Sequence, residues 1–161
     1  MAETLEKHKN LPYRMGVGIV VLNKENKIFV AKRIDNPKNF WQMPQGGVDK
    51  GEDFLSAAYR ELEEETSIKN VELITEIDEI TTYELPDYLL GKIWRGKFKG
   101  QKQKWFIMRY LGNDDEININ TSKPEFFDWK WTDVNSITEI VVKFKLNVYK
   151  ILQQKIENII N

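Results

Sequence analysis

At 161 residues the chain is long enough to bury one sizeable core, and an apolar content of 41% with 12% aromatics is ordinary for a globular protein. A formal net charge of −1 excludes the global basic field that draws long nucleic acids non-specifically. The absence of cysteine excludes a disulfide framework and thiol chemistry. No stretch is apolar enough to span a membrane, and the polar start MAETLEKHKN lacks the apolar run of a secretory signal, so the expectation is a cytoplasmic protein with no membrane partner.

In chain order, residues 1–12 read as a loose tail ending at Pro12. Gly16 to Leu22 is apolar and β-branched, a buried strand; Asn23 to Asn26 is a polar turn; Lys27 to Arg33 is the returning strand. Residues 35–39 form a loop around Pro37, and 41–50 an irregular glycine-containing segment. A helix is expected from Asp53, its N-cap, to about Thr66. Strands follow at 71–83, 103–111 and 127–132, with a long loop over 85–100 and an acidic turn at 112–116. Residues 137–161 contain a C-terminal helix expected to start near Lys143. There is no internal repeat or low-complexity linker, and the mixture of strands and two main helices indicates an α/β domain.

The most informative stretch is GGVDKGEDFLSAAYRELEEETSI, from Gly46. At about 100° per residue, Glu61, Glu64 and Glu65 fall on one helix face, at i, i+3 and i+4. Leu55, Ala58, Tyr59 and Leu62 occupy the neighbouring arc, the face expected to be buried, and Glu63 points away from both. Like charges so spaced repel by a few tenths of a kcal/mol per pair, whereas a hard divalent cation would turn them into a ligand set. The alternative is a solvated acidic face, with Arg60 and Glu64 forming an i,i+4 surface pair.

The pattern G-x5-E-x7-R-E-Leu-x-E-E, with Gly46, Gly47, Glu52 and Arg60 at fixed distances from the glutamates, resembles the Nudix box of pyrophosphohydrolases. Ser67 stands where the box has glycine, a residue suited to the left-handed turn that ends a helix. LPYRMGVGIVVLN, WQMPQGG, GQKQKWF, PEFFDWKW and VVKFK, spread from Leu11 to Tyr149, are similar to the branch of bacterial RNA 5′ pyrophosphohydrolases and dinucleoside oligophosphate pyrophosphatases. The resemblance implies a Nudix fold, a mixed β-sheet sandwiched between α-helices, as one domain over residues 1–161 with its core at about 11–155.

It also implies divalent-metal catalysis, with Mg²⁺ first and Mn²⁺ or another divalent ion as alternatives. Glu61, Glu64, Glu65, Glu125 and the Gly46 carbonyl would be the ligands. Glu61 or Glu125 would activate water, and Arg60 would orient the glutamates. The only histidine, His8, sits in the polar tail, so base chemistry falls to a carboxylate.

Residues 91–109 carry seven lysines and arginines and no acid, interleaved with Trp94, Phe98, Trp105 and Phe106. That mixture suits a phosphate chain and stacked bases; the alternative is a solvated loop beside an amphipathic strand, with Trp105 and Phe106 in the core. Arg14 and Arg33 flank the first hairpin and can offer a donor fork to phosphate or a flat face to a base. By resemblance, Gln45, Tyr83, Lys102, Lys104, Phe144 and Lys145 join them around the nucleotide, although composition alone leaves Phe144 open as a core residue.

The expected activity is removal of pyrophosphate from the 5′ end of triphosphorylated or diphosphorylated RNA, the step that initiates mRNA decay. Asymmetric hydrolysis of a dinucleoside oligophosphate is the alternative, and a non-catalytic nucleotide- or RNA-binding module is opposed by the intact glutamate set. The partner is thus a 5′-phosphorylated RNA end or a dinucleoside polyphosphate, and no protein partner is legible.

Overall fold

The computed structural model describes residues 8–36 and 38–161. Most of the N-terminal tail, and Pro37, fall outside them. The described residues form seven strands: β1 (Tyr13–Leu22), β2 (Ile28–Arg33), β3 (Gln45–Gly47), β4 (Val71–Glu76), β5 (Thr81–Glu84), β6 (Gly100–Tyr110) and β7 (Phe126–Thr132). The helices are α1 (Phe54–Thr66), α2 (Ile137–Ile140) and α3 (Leu146–Ile160), with short 3-10 turns between elements. The strands make one mixed sheet in the order β4-β6-β1-β2-β7, with β3 added to β1 and β5 to β6. Its spine is the parallel pair β1–β6, in register from Tyr13 opposite Gly100 to Leu22 opposite Arg109.

Alternation along β1 divides the core. Val17, Ile19 and Val21 pack with Ala57, Ala58 and Leu62 of α1 and with Phe29, Phe106 and Met108. Val20 and Leu22 pack on the other side with Trp105, Ile107 and the α3 residues Val148, Tyr149, Leu152 and Ile156. A strand buried on both faces reads as a continuous apolar run, which is why GVGIVVL carries no polar residue. The expected mixed sheet between helices is therefore present.

Several boundaries differ from expectation. The irregular segment 41–50 contains β3, too short for a periodic signal. The single strand expected over 71–83 is two strands, separated by Ile77 to Ile80, which both pair with β6. Residues 137–140 form a separate helical turn, and α3 starts at Leu146. On α1 the buried set is Ala57, Ala58, Leu62, Glu65 and Thr66, while Tyr59 is 38% exposed. The core-facing arc is thus rotated from the expected one, and it carries Glu65 inward.

Both ends of α1 are specified locally. Asp53 accepts a hydrogen bond from the Ser56 amide at 2.7 Å, the expected N-cap. Ser67 is left-handed, at φ 64°, and its amide donates to the Glu63 carbonyl at 2.9 Å. Its Oγ donates to the Asn118 carbonyl at 2.8 Å. Glycine here would relieve roughly 1 kcal/mol of backbone cost and forfeit a bond worth about 1 kcal/mol. Ser67→Gly should therefore leave the melting temperature within about 3 °C of wild type, with unchanged activity. Lost activity at unchanged melting would make the hydroxyl functional.

Candidate active site

α1 and β3 meet at the acid face. Gly46 lies so close to Glu61 that a Cβ there would collide with the carboxyl group, and a Cβ at Gly47 would strike the Arg14 guanidinium. These two glycines let the backbone of β3 run directly between a carboxylate and an arginine. The Gly46 carbonyl accepts a bond from Gln101 Nε2 at 3.4 Å.

Arg60 organises the acids. Its Nε and Nη2 donate to both Glu52 oxygens at 2.8 and 2.9 Å. Nη2 also reaches the Gly47 carbonyl at 2.9 Å, and Nη1 donates to Glu61 Oε1 at 2.9 Å and Glu64 Oε2 at 3.1 Å. This pairing holds the Glu52 carboxyl down to about 2. Burial instead pushes Glu61 up, against the pull of Arg60, and pushes Glu65 well up, reinforced by the charges of Glu61 and Glu125.

Glu65 is 8% exposed, and its buried Oε2 has no hydrogen-bond partner. An orphaned, buried carboxylate oxygen is costly unless a cation meets it. Arg60 leaves Oε2 of Glu61 and Oε1 of Glu64 unspent. Among the described residues no three acidic or histidine side chains already stand as a closed metal cage. The donors on offer are all hard oxygens, which fits Mg²⁺-class ions.

A cleft of about 970 Å³ opens from this face. It is lined by Glu61, Glu64, Glu65 and Gly46 and by Arg14, Arg33, Gln45, Tyr83, Glu125, Phe144 and Lys145. Phe144 is half-buried and its ring lies 5.7 Å from that of Tyr83. Tyr83 itself is 5% exposed; its hydroxyl accepts from Gln45 Nε2 and donates to Gln101 Oε1, both at 3.1 Å. It presents little ring for stacking and instead backs Phe144. Glu125 faces Arg33 at 3.7 Å.

Lys145 is 5% exposed and donates to Gln42 Oε1 at 3.2 Å. Burial brings its ammonium down to about 7, helped by Arg33 and opposed by Asp35 and Glu65.

The structure does not bring Lys102 and Lys104 to the cleft. Alternation along β6 turns Gln101, Gln103 and Trp105 toward the Tyr83 side, so the lysines take the opposite face. Lys102 lies over the Tyr13 ring at 5.2 Å, and Lys104 pairs with Glu76 at 3.1 Å. Their expected phosphate contact is corrected accordingly. Arg109 is a brace for the first hairpin, donating to Asn26 Oδ1 at 2.8 Å. His8 packs on Gly91, away from the acids. Reading by residue type missed Gln42, Gln101 and Asp35. The first two lie inside the motifs WQMPQGG and GQKQKWF, whose glutamines were the available signal.

Residues 12–152 match the NUDIX domain family. The chain belongs to that family. It is 70% identical over 152 residues to the RNA pyrophosphohydrolase of Pelagibacter ubique (strain HTCC1062), covering 94% of this chain and 96% of that one. It is 44% identical over 160 residues to the RNA pyrophosphohydrolase of Rickettsia canadensis (strain McKiel), with 99% of each covered. Among solved structures, the E. coli dihydroneopterin triphosphate pyrophosphohydrolase is similar at a TM-score of 0.72 and 22% identity, covering 91% of this chain and 99% of that one. A C. elegans Ap4A hydrolase is similar at 0.65 and 21%, covering 90% and 98%. At those identities the structural likeness speaks for the Nudix fold alone. No helix among the described residues is long and apolar enough to cross a membrane.

Two outcomes follow from these buried charges, the first on the acid face. Glu64→Gln and Glu65→Gln should each remove most activity, at least about a hundredfold, while Glu63→Gln, exposed on another face, should be nearly silent. In EDTA, Glu65→Gln should also melt higher than wild type, because it removes a buried, unpartnered charge. Near-full turnover of either variant at saturating Mg²⁺ would remove that residue from the ligand set.

The second concerns Lys145. Its folded value lies below the unfolded value of about 10.4, so the native state binds fewer protons between those limits and stability rises with pH there. The burial cost is fully present below about 7 and fades toward 10. Lys145→Met should therefore raise the melting temperature at pH 6 and lose that advantage by pH 9 to 10. A pH-independent difference would place the ammonium in solvent.

Proposed function

We propose that this Nudix hydrolase removes pyrophosphate from the 5′ end of triphosphorylated or diphosphorylated RNA, using Mg²⁺ with Mn²⁺ as a substitute. The observation that carries this reading is one cleft that brings both halves of the required chemistry together. Three helix carboxylates and a backbone carbonyl share it with two arginines, a buried lysine and the Phe144–Tyr83 pair. Full-length similarity to proteins named RNA pyrophosphohydrolase supports the substrate. Dinucleoside oligophosphates, the class to which the Ap4A in the name of the C. elegans structural neighbour belongs, present the same nucleoside-polyphosphate unit and fit as a second substrate.

In this reading Glu61, Glu64, Glu65 and the Gly46 carbonyl hold the metal, with Glu125 contributing from the facing loop. When bound, the divalent ions neutralise the phosphates and stabilise charge on the attacking and leaving oxygens. The chain supplies the rest. Arg14 stands beside Gly47 at the metal end and offers N–H donors to the phosphate chain. Phe144 and Arg33 bound the space for a base. Of the two candidate bases, Glu61 is held by a hydrogen bond from Arg60 at 2.9 Å, whereas Arg33 faces Glu125 at 3.7 Å. Glu125 is therefore the freer carboxylate to take a proton from the attacking water. Such a reaction in the cytoplasm would start mRNA decay.

The test is side-by-side kinetics on triphosphorylated RNA, diphosphorylated RNA and diadenosine pentaphosphate with Mg²⁺. Glu125→Gln should lower kcat on all three. Phe144→Ala should lower kcat/KM on triphosphorylated RNA by about ten- to a hundredfold, since stacking one base is worth roughly 1–3 kcal/mol. Its effect on diadenosine pentaphosphate should be smaller, because RNA continues beyond the cleaved end. Equal losses on both substrates would favour the dinucleotide reading, and circular dichroism separates either outcome from unfolding.

A further inference from the structure

Two arginines line the cleft, and they are held in opposite ways. Arg33 has its edge engaged: Nε and Nη2 donate to the two Asp35 oxygens at 2.7 Å each. Arg14 sits over an aromatic ring: its Cζ lies 5.2 Å from the centroid of the Trp94 ring. Arg14 makes a long hydrogen bond, from Nη1 to Gln101 Oε1 at 3.5 Å. The donor fork of Arg14 is therefore largely unspent, beside Gly47 at the metal end of the cleft.

Trp94 reaches this position by an unusual route. It and Arg95 are both left-handed, at φ 51° and 57°, with Gly96 following at 69°. Bulky residues seldom adopt positive φ, and consecutive ones persist only where the surroundings over-determine them. Phe98 meets the Trp94 ring edge-on at 6.3 Å, fixing its plane. Trp94 is half-buried and lines the cleft. What this conformation achieves is a flat aromatic surface against the guanidinium, which leaves the N–H edge as the part of Arg14 that can act.

We infer that Trp94 is a positioning residue for polyphosphate binding. It fixes the plane of Arg14 so that the guanidinium edge meets the phosphate chain next to Glu61 and Gly46. A cation held over an indole keeps its charge and its in-plane donors, so the stack orients Arg14 without neutralising it, whereas Asp35 neutralises Arg33. This inference rests on the reading of the cleft as a polyphosphate site, and it goes beyond that reading by assigning the residue that orients the phosphate-facing arginine.

The experiment compares wild type with Trp94→Leu, which keeps apolar bulk but removes the π face, and Trp94→Phe, which retains a smaller one. Arg14→Ala and the Arg14→Ala/Trp94→Leu double variant complete a cycle. Two readouts are taken with Mg²⁺: calorimetric affinity for inorganic tripolyphosphate, and kcat/KM on triphosphorylated RNA and diadenosine pentaphosphate. Trp94→Leu should weaken tripolyphosphate binding and lower kcat/KM on both substrates by about three- to thirtyfold. Trp94→Phe should recover most of that loss. In the Arg14→Ala background, Trp94→Leu should cost less than about twofold.

Wild-type affinity in Trp94→Leu overturns the inference. So does an undiminished loss in the Arg14→Ala background, which would place Trp94 directly on substrate. If wild type turns over neither nucleotide substrate, the proposed function fails, and the tripolyphosphate cycle still decides the role of Trp94.

Discussion

The site depends on one guanidinium. Arg60 spends its donors on Glu52, Glu61, Glu64 and the Gly47 carbonyl, linking the loop before α1, the acid face of α1 and strand β3. Without it, several carboxylates would crowd one helix surface with nothing to hold them apart in the absence of metal. Arg60 takes one oxygen from each of Glu61 and Glu64 and leaves the other, so it positions these carboxylates without consuming them. Lysine could not do this, since a point charge lacks the planar fork that bridges three carboxylates and a carbonyl.

Glu65 is the exception. It receives no hydrogen bond from Arg60 and is more deeply buried than Glu64. The helix face that packs on the sheet extends to Glu65 and Thr66, so this carboxylate is anchored in the wall between core and cleft. Lys145 is its counterpart across the cleft, a buried ammonium with one acceptor at Gln42. Each is costly to a folded chain on its own, and each is the kind of local conflict that accumulates where function overrides stability.

Much of this was legible in the chain because the relevant signals are local. Asp53 and Ser67 bracket α1, and the spacing of Glu61, Glu64 and Glu65 sets their common face. The buried run of β1 declares a strand covered on both sides. What was not legible depends on strand parity and on long-range pairing. Lys102 and Lys104 look like phosphate ligands by composition, yet one-residue alternation along β6 sends them to the other face and leaves Gln101 inward, where it links Tyr83 and the Gly46 carbonyl. Likewise the break at Ile77 to Ile80, which splits one apparent strand in two, is fixed by which residues of β6 each half meets. Asp35, two residues from Arg33, had no periodic or motif signal at all.

The arrangement also explains why a near-neutral chain can host a polyanion. Three acids gather on α1, where a divalent ion would reverse their sign, and the bases stand on β1, β2 and the turn before α3, with Glu125 and Asp35 beside Arg33. Aromatic rings lie beside the bases, so each cation is backed by a ring or a carboxylate: Arg14 by Trp94, Arg33 by Asp35, Lys145 by Tyr83 and Phe144. Backing by a ring leaves the full charge available, and backing by a carboxylate cancels it. The donors left open to a polyanion are chiefly those of Arg14, since Arg33 is paired with Asp35 and burial brings the Lys145 ammonium down to about 7. On the proposed reading, a nucleoside polyphosphate would lie with its phosphates toward α1 and its base toward Phe144.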